Sequence, residues 1–183
     1  MSASIKRRTR EATEAVLRKQ AKAVRKVLLA LGAEEAPTLP EIVQIESTNI
    51  CNAKCVFCPR DEMHRDEGIM DMALFRKIAD ECAALNITHM RMHNYGEAFA
   101  DRNLVEKVRY AKSIGIREVG LISNGSLITE RAARGMVEAG LDAINISMDA
   151  AGKEVFESTR LGLNYDKVVA LSLIHISEPT RPY

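Results

Sequence analysis

From residue 41 onward the chain alternates two hydrophobic patterns. Residues 41–48 (EIVQIEST), 87–93 (ITHMRMH), 117–123 (REVGLIS) and 142–148 (DAINISM) are short runs in which apolar residues are continuous or alternate with polar ones, and they are predicted as strands. In residues 72–85 (MALFRKIADECAAL), 101–114 and 129–139 the apolar positions recur every third or fourth residue, which predicts helices, and Gly115 and Gly140 stand where two of them should stop. A short helical stretch is expected from about residue 152 and another from 165. This alternation predicts an α/β fold of βαβ units on a parallel sheet with right-handed crossovers, and does not by itself distinguish an open sheet from part of a barrel.

Upstream, Leu17, Ala21, Val24, Leu28 and Leu31 form one apolar stripe of an amphipathic helix over 5–31, whose other faces carry Lys6, Arg7, Arg8, Arg10, Arg18, Lys19, Lys22, Arg25 and Lys26. Gly32 is placed to stop this helix, and Pro37 and Pro40 punctuate the linker after it. The expected organisation is a basic helix and linker over 1–36, a core over 37–170 and a separate tail over 171–183.

The 183 residues, 46% of them hydrophobic, suit one ordinary domain with its own core. The net charge of +1 gives the whole molecule no pull toward nucleic acid or membrane, and no aromatic residues interleave with the basic ones of the first helix, so base stacking is unsupported. No apolar run is long enough to span a bilayer, and the N-terminus lacks the apolar centre of a signal peptide. A cytoplasmic protein is expected.

In parallel α/β folds the chemistry gathers at the carboxyl ends of the strands. Here those ends are Thr48–Cys58, Asn94–Glu97, Ser123–Gly125 and Ser147–Ala150, all polar or glycine-bearing. The first holds three of the four cysteines, Cys51, Cys55 and Cys58, spaced C-x3-C-x2-C. Soft anionic thiolates on so short a loop suit an iron–sulfur cluster, and three of them on a four-iron cube leave one iron open to a further ligand. Three alternatives stand beside this. One is a zinc site with His64 or Cys82 as fourth ligand, the second is simple buried cysteines with no metal, and the third is a non-catalytic, cysteine-rich metal-binding interaction module whose basic helix docks a partner. Cys82, beside Ala79, Ala83 and Leu85, reads as a core thiol, and His64, His89 and His93 as incidental.

Glu46-Ser47-Thr48-Asn49-Ile50-Cys51-Asn52, continuing through Phe57-Cys58-Pro59, resembles the radical SAM superfamily. The resemblance implies a partial (β/α) barrel. Cys51, Cys55 and Cys58 would hold a [4Fe–4S] cluster whose open iron chelates the amino and carboxylate groups of S-adenosylmethionine, with Phe57 packed near the adenine. Tyr95-Gly96-Glu97-Ala98 is similar to the family's Gly-Gly-Glu-Pro. Gly96 and Glu97 match and would bind the methionine amino group, while Tyr95 and Ala98 depart from the pattern. Ser123-Asn124-Gly125 resembles Thr-Asn-Gly, and Ser147-Met148-Asp149-Ala150 resembles Ser-Ile-Asp-Gly. Asn124 would shape the cofactor pocket, Ser147 would contact ribose or carboxylate, and Arg160 would lie near the cofactor carboxylate. The implied activity is reductive cleavage of S-adenosylmethionine to a 5′-deoxyadenosyl radical that takes hydrogen from a substrate. It needs an external one-electron reductant. The substrate, a peptide, protein or small metabolite, is not legible, and the pattern from Pro40 to Met70 looks like members with a C-terminal SPASM domain of auxiliary clusters.

Residues 171–181, LSLIHISEPTR, resemble the in-frame translation of a sequencing-library adapter. The expectation is therefore a core truncated after about four βα units and an inactive fragment of a longer enzyme. The alternative is a genuine fifth strand over Leu171–Ile176.

Overall fold

The computed structural model describes residues 39–177. The helix expected over 5–31 lies outside the described residues. Four parallel strands form the main sheet: β1 (Ile42–Gln44), β3 (His89–Arg91), β4 (Glu118–Ser123) and β5 (Ala143–Ile146), in the order β1-β3-β4-β5. A separate two-residue strand, β2 (Lys54–Cys55), pairs antiparallel with β6 (Arg160–Leu161). Helix α1 (Met72–Ala84) links β1 to β3, α2 (Leu104–Ser113) links β3 to β4, and α3 (Glu130–Ala139) links β4 to β5. The short α4 (Lys153–Thr159) and then α5 (Tyr165–Ser177) complete the described chain.

The helices start where side chains can take up free backbone N–H groups: Asp71 accepts from Leu74 N at 2.7 Å and Thr129 from Ala132 N at 3.2 Å. Their apolar stripes cover one face of the sheet. Phe75, Ala79 and Cys82 of α1, Val108 and Ala111 of α2, and Met136 and Ala139 of α3 pack with Met90, Met92, Val119 and Leu121. Cys82 is thus a core thiol, remote from any ligand role. A smaller cluster of Ala53, Phe156, Leu163 and Val168 lies under the cysteine loop.

Several boundaries differ from expectation. The first strand is ladder-paired only over Ile42–Gln44, because the chain beyond Ile45, whose N–H still bonds Arg91 O at 2.8 Å, turns toward the 66–70 segment, where Thr48 bridges Ile69. The helix expected from 101 begins at Leu104, since Ala98–Ala100 form a 3-10 turn capped by Glu97. Leu171–Ile176 is helical, within α5, and forms no fifth strand.

One buried ion pair braces the upper face. Lys107 Nζ donates to Asp101 Oδ2 and to Met70 O, both at 2.6 Å, with both side chains fully buried. It ties the turn after Glu97 to the segment that leaves the cysteine loop. Such a pair fixes geometry more than it adds stability.

Candidate active site

The four strand ends open onto one cavity lined by Cys51, Cys55, Cys58, Gly96, Ser123 and Ser147 among others; Phe57, Glu97, Asn124 and Arg160 share it. Every residue assigned from sequence to metal or cofactor therefore borders the same space, although they span more than a hundred positions of the chain.

The cysteine loop is held at both ends. The β2–β6 ladder pairs Cys55 with Arg160, and Val56 N donates to Thr159 O at 3.0 Å. The three thiols are partly exposed. Burial pushes the Cys55 thiol above its ordinary value; the Arg160 cation opposes this, and Cys51, Cys58 and Asp149 add to it. Among the described residues no three His, Cys, Asp or Glu side chains are placed to share a single metal ion.

Arg160 is nearly buried and has three neighbours. Its guanidinium pairs with Asp149, Nη1 lies 3.7 Å from Cys55 Sγ, and its Cζ stands 5.3 Å from the Phe57 ring centroid. Its buried Nε has no acceptor. Phe57 itself is exposed at the rim of the cavity.

Glu97 is 2% exposed and its carboxylate is fully engaged inside the protein. Oε1 accepts from Phe99 N at 3.1 Å and Ser123 Oγ at 2.7 Å, and Oε2 accepts from Asn124 N at 2.7 Å. The side chain thus joins the end of β3 to the end of β4. Gly96 is required by a close approach of backbones: a Cβ there would overlap Thr48 O and lie 2.7 Å from Thr48 C and 2.8 Å from Asn49 Cα. A network then runs on from β4. Asn124 Nδ2 donates to Asn52 Oδ1 at 3.1 Å, Asn52 Nδ2 to Ser126 Oγ at 2.8 Å, and Ser126 N to Asn124 Oδ1 at 2.9 Å. Gly125, at φ +78°, makes the turn that allows it. Ser147 N donates to Ser123 O at 2.9 Å, bringing its side chain to the cavity wall.

Asn52, Ser123, Asp149 and His93 were not singled out from sequence as site residues. The signal for His93 was available: Met90 and Met92 alternate with His89, Arg91 and His93, so the histidines share the face opposite the core.

A parallel α/β sheet with a three-thiol loop at its carboxyl ends defines the class. The radical SAM superfamily model matches residues 45–172, and the chain belongs to that superfamily of enzymes. Its members carry a [4Fe–4S] cluster and bind S-adenosylmethionine. The chain is 33% identical over 132 residues to a probable GTP 3′,8-cyclase of Saccharolobus islandicus, covering 70% of this chain and 41% of that protein. It is 29% identical over 141 residues to a probable GTP 3′,8-cyclase of Methanopyrus kandleri, covering 76% and 45%. The fold matches SuiB of Streptococcus suis bound to S-adenosylmethionine with a TM-score of 0.64 at 13% identity, over 85% of this chain and 41% of that one. The chain spans less than half the length of these curated relatives. No helix among the described residues is long and apolar enough to cross a membrane.

Proposed function

We propose that this chain forms the cluster- and cofactor-binding core of a radical SAM enzyme. The observation that carries the reading is the convergence of three thiols from one loop with the glycine, carboxylate, amide, hydroxyl and guanidinium groups of four other segments around one cavity. The donor set fits a cluster: the thiols are soft, partly exposed and confined to a loop pinned by β6. The orphaned Nε of Arg160 fits an anionic cofactor group, since a buried donor without an acceptor costs free energy that a bound carboxylate would relieve.

Cys51, Cys55 and Cys58 would hold a [4Fe–4S] cluster, and the bound pair of cofactors would supply one-electron cleavage of a sulfonium carbon–sulfur bond. The rest falls to the protein. Gly96 lets the loop after β3 close against the cysteine loop. Glu97, working through Ser123 and Asn124, holds those ends in register and leaves the backbone around Gly96 to receive the cofactor's amino group. Ser147 and Asn124 wall the ribose side, Phe57 closes the rim, and Arg160 neutralises negative charge beside Cys55.

An external one-electron reductant and a substrate, whether peptide, protein or small metabolite, complete the reaction, and a SPASM-type auxiliary domain belongs to the same proposal. Among the described residues β5 has no partner on its outer side. A sheet of four strands leaves the cavity open to water, so weak cofactor retention and slow, uncoupled cofactor cleavage are assigned to this chain and turnover of the substrate to a longer parent. The tail over 171–183 is proposed to be foreign to that parent.

The test is anaerobic reconstitution with iron and sulfide. The chain should develop brown absorbance and, with dithionite, release 5′-deoxyadenosine from S-adenosylmethionine at a low rate, and Cys55→Ala should abolish the colour. Persistence of colour and cleavage in Cys55→Ala would refute the cluster assignment.

A further inference from the structure

The thiol cavity measures about 180 Å³, room for far more than ordered water, and two of its wall residues take no part in holding cluster or cofactor. With Met90 and Met92 in the core, alternation turns His93, in the extension of β3, to the opposite face, where it borders the cavity. The register that pairs Arg91 with Gly120 sets His93 beside Ile122, which is 37% exposed and borders the same cavity. Ile122 lies two residues of strand, about 6.6 Å, below Asn124, so this pair sits deeper than the groups given to the cofactor. One step further down, the Arg91 guanidinium lies against Gly120 and fills the space.

Nδ1 of His93 is buried and has no partner. Nε2 has no partner among the described residues either, but it is not buried, so the ring meets the cavity by its Nε2 edge. With no acceptor for a proton on Nδ1, the neutral ring keeps its proton on Nε2, which makes that edge a donor. Burial and then the Arg91 cation hold this imidazole below its ordinary value, so it is uncharged at neutral pH. The charged groups nearest it along the sheet are already engaged. Glu46 pairs with Arg65 and accepts from Tyr95 N at 2.9 Å, and Arg91 donates to Glu118 Oε1 at 2.6 Å. At this depth the cavity presents one neutral N–H donor beside one apolar side chain.

We propose that His93 and Ile122 bind the substrate, the imidazole donating from Nε2 to an uncharged oxygen of a hydroxyl or amide group and the isoleucine packing on the carbon beside it. Neither side chain supplies the positive charge that holds a carboxylate or phosphate strongly. This assignment rests on the reading of the cavity as the reaction centre and names the substrate class it serves, a neutral alcohol or amide.

The test uses the full chain, reduced and metal-free, so that failure of cluster assembly, which bears on the proposed function, does not touch it. The His93 ring and the Ile122 methyl groups are followed by NMR during separate titrations with 2-propanol, N-methylacetamide, acetate and adenosine. Two-bond proton–nitrogen correlations should place the ring proton on Nε2. At least one of the two neutral probes should shift both residues saturably, 2-propanol indicating an alcohol and N-methylacetamide an amide. His93→Gln keeps a donor and should keep most of the Ile122 response. His93→Phe, which fills the space without a donor, should weaken it about three- to tenfold. Ile122→Ala, read at the His93 ring, should weaken the response as well and covers the case in which His93→Phe fails to fold. A ring proton on Nδ1, no saturable shift with either neutral probe, tighter binding of acetate, or an unchanged response in folded His93→Phe overturns the proposal. A response to adenosine alone gives the ring to the cofactor and overturns it too.

Discussion

Replacing Glu97 by Gln separates two roles for this residue. In the structure both carboxylate oxygens face fixed donors that have no alternative: Phe99 N on Oε1 and Asn124 N on Oε2. Glutamine has the same shape but only one acceptor oxygen. If that oxygen serves Phe99 and Ser123, the amide nitrogen is turned against Asn124 N–H; if it serves Asn124, the nitrogen is turned against Phe99 N–H. Either way one charge-assisted hydrogen bond is lost and one buried backbone donor is left facing another donor. Each loss is worth about 1–3 kcal/mol, and partial relaxation brings their sum to about 2–4 kcal/mol. That is a large share of the stability of a domain this size, on the order of 5–15 kcal/mol. The assay is urea unfolding of the reduced, metal-free chain, followed by far-UV circular dichroism. Glu97→Gln should lower the midpoint clearly before any iron or cofactor is added. A midpoint equal to that of the unmodified chain would refute the structural role and leave direct contact with the cofactor's amino group as the function of this side chain.

Gly96→Ala should cost about 1–3 kcal/mol through backbone overpacking and reduce iron bound per chain after reconstitution, because the cysteine loop must give way at Thr48 and Asn49. Unchanged iron stoichiometry and unfolding midpoint would show that the two loops do not meet as described. Burial, assisted by the Arg91 cation, holds His93 below the ordinary imidazole value of 6.5. The unfolded chain therefore binds more protons there, so the contribution of His93 to stability is complete above about 6.5 and is lost as pH falls through the lowered folded value. An NMR titration of the His93 ring with its midpoint at or above 6.5 would contradict this.

The cysteine spacing, the strand ends and the helix stops were legible because each is local. The C-x3-C-x2-C loop lies within eight residues, and a period of two or of three to four needs only its own segment. The core helices arise from the same stripes, as does the placing of Cys82 among them. The position of Cys55 against Arg160 had no local signal, since the two-residue ladder that pairs them joins positions 105 apart.

The sequence by itself determined which strand ends border the cavity: strand polarity puts every carboxyl end on one rim, whatever the side chains there do. Only the tertiary structure decided what each does. Glu97 turns inward because two unpaired backbone donors, one after β3 and one after β4, meet there once the strands are parallel neighbours. Arg91 Nη1 lies buried without a partner because Gly120, placed beside it by register, has no side chain to exclude it. These are consequences of pairing between strands, and a one-residue slip in register would have sent each side chain to the opposite face.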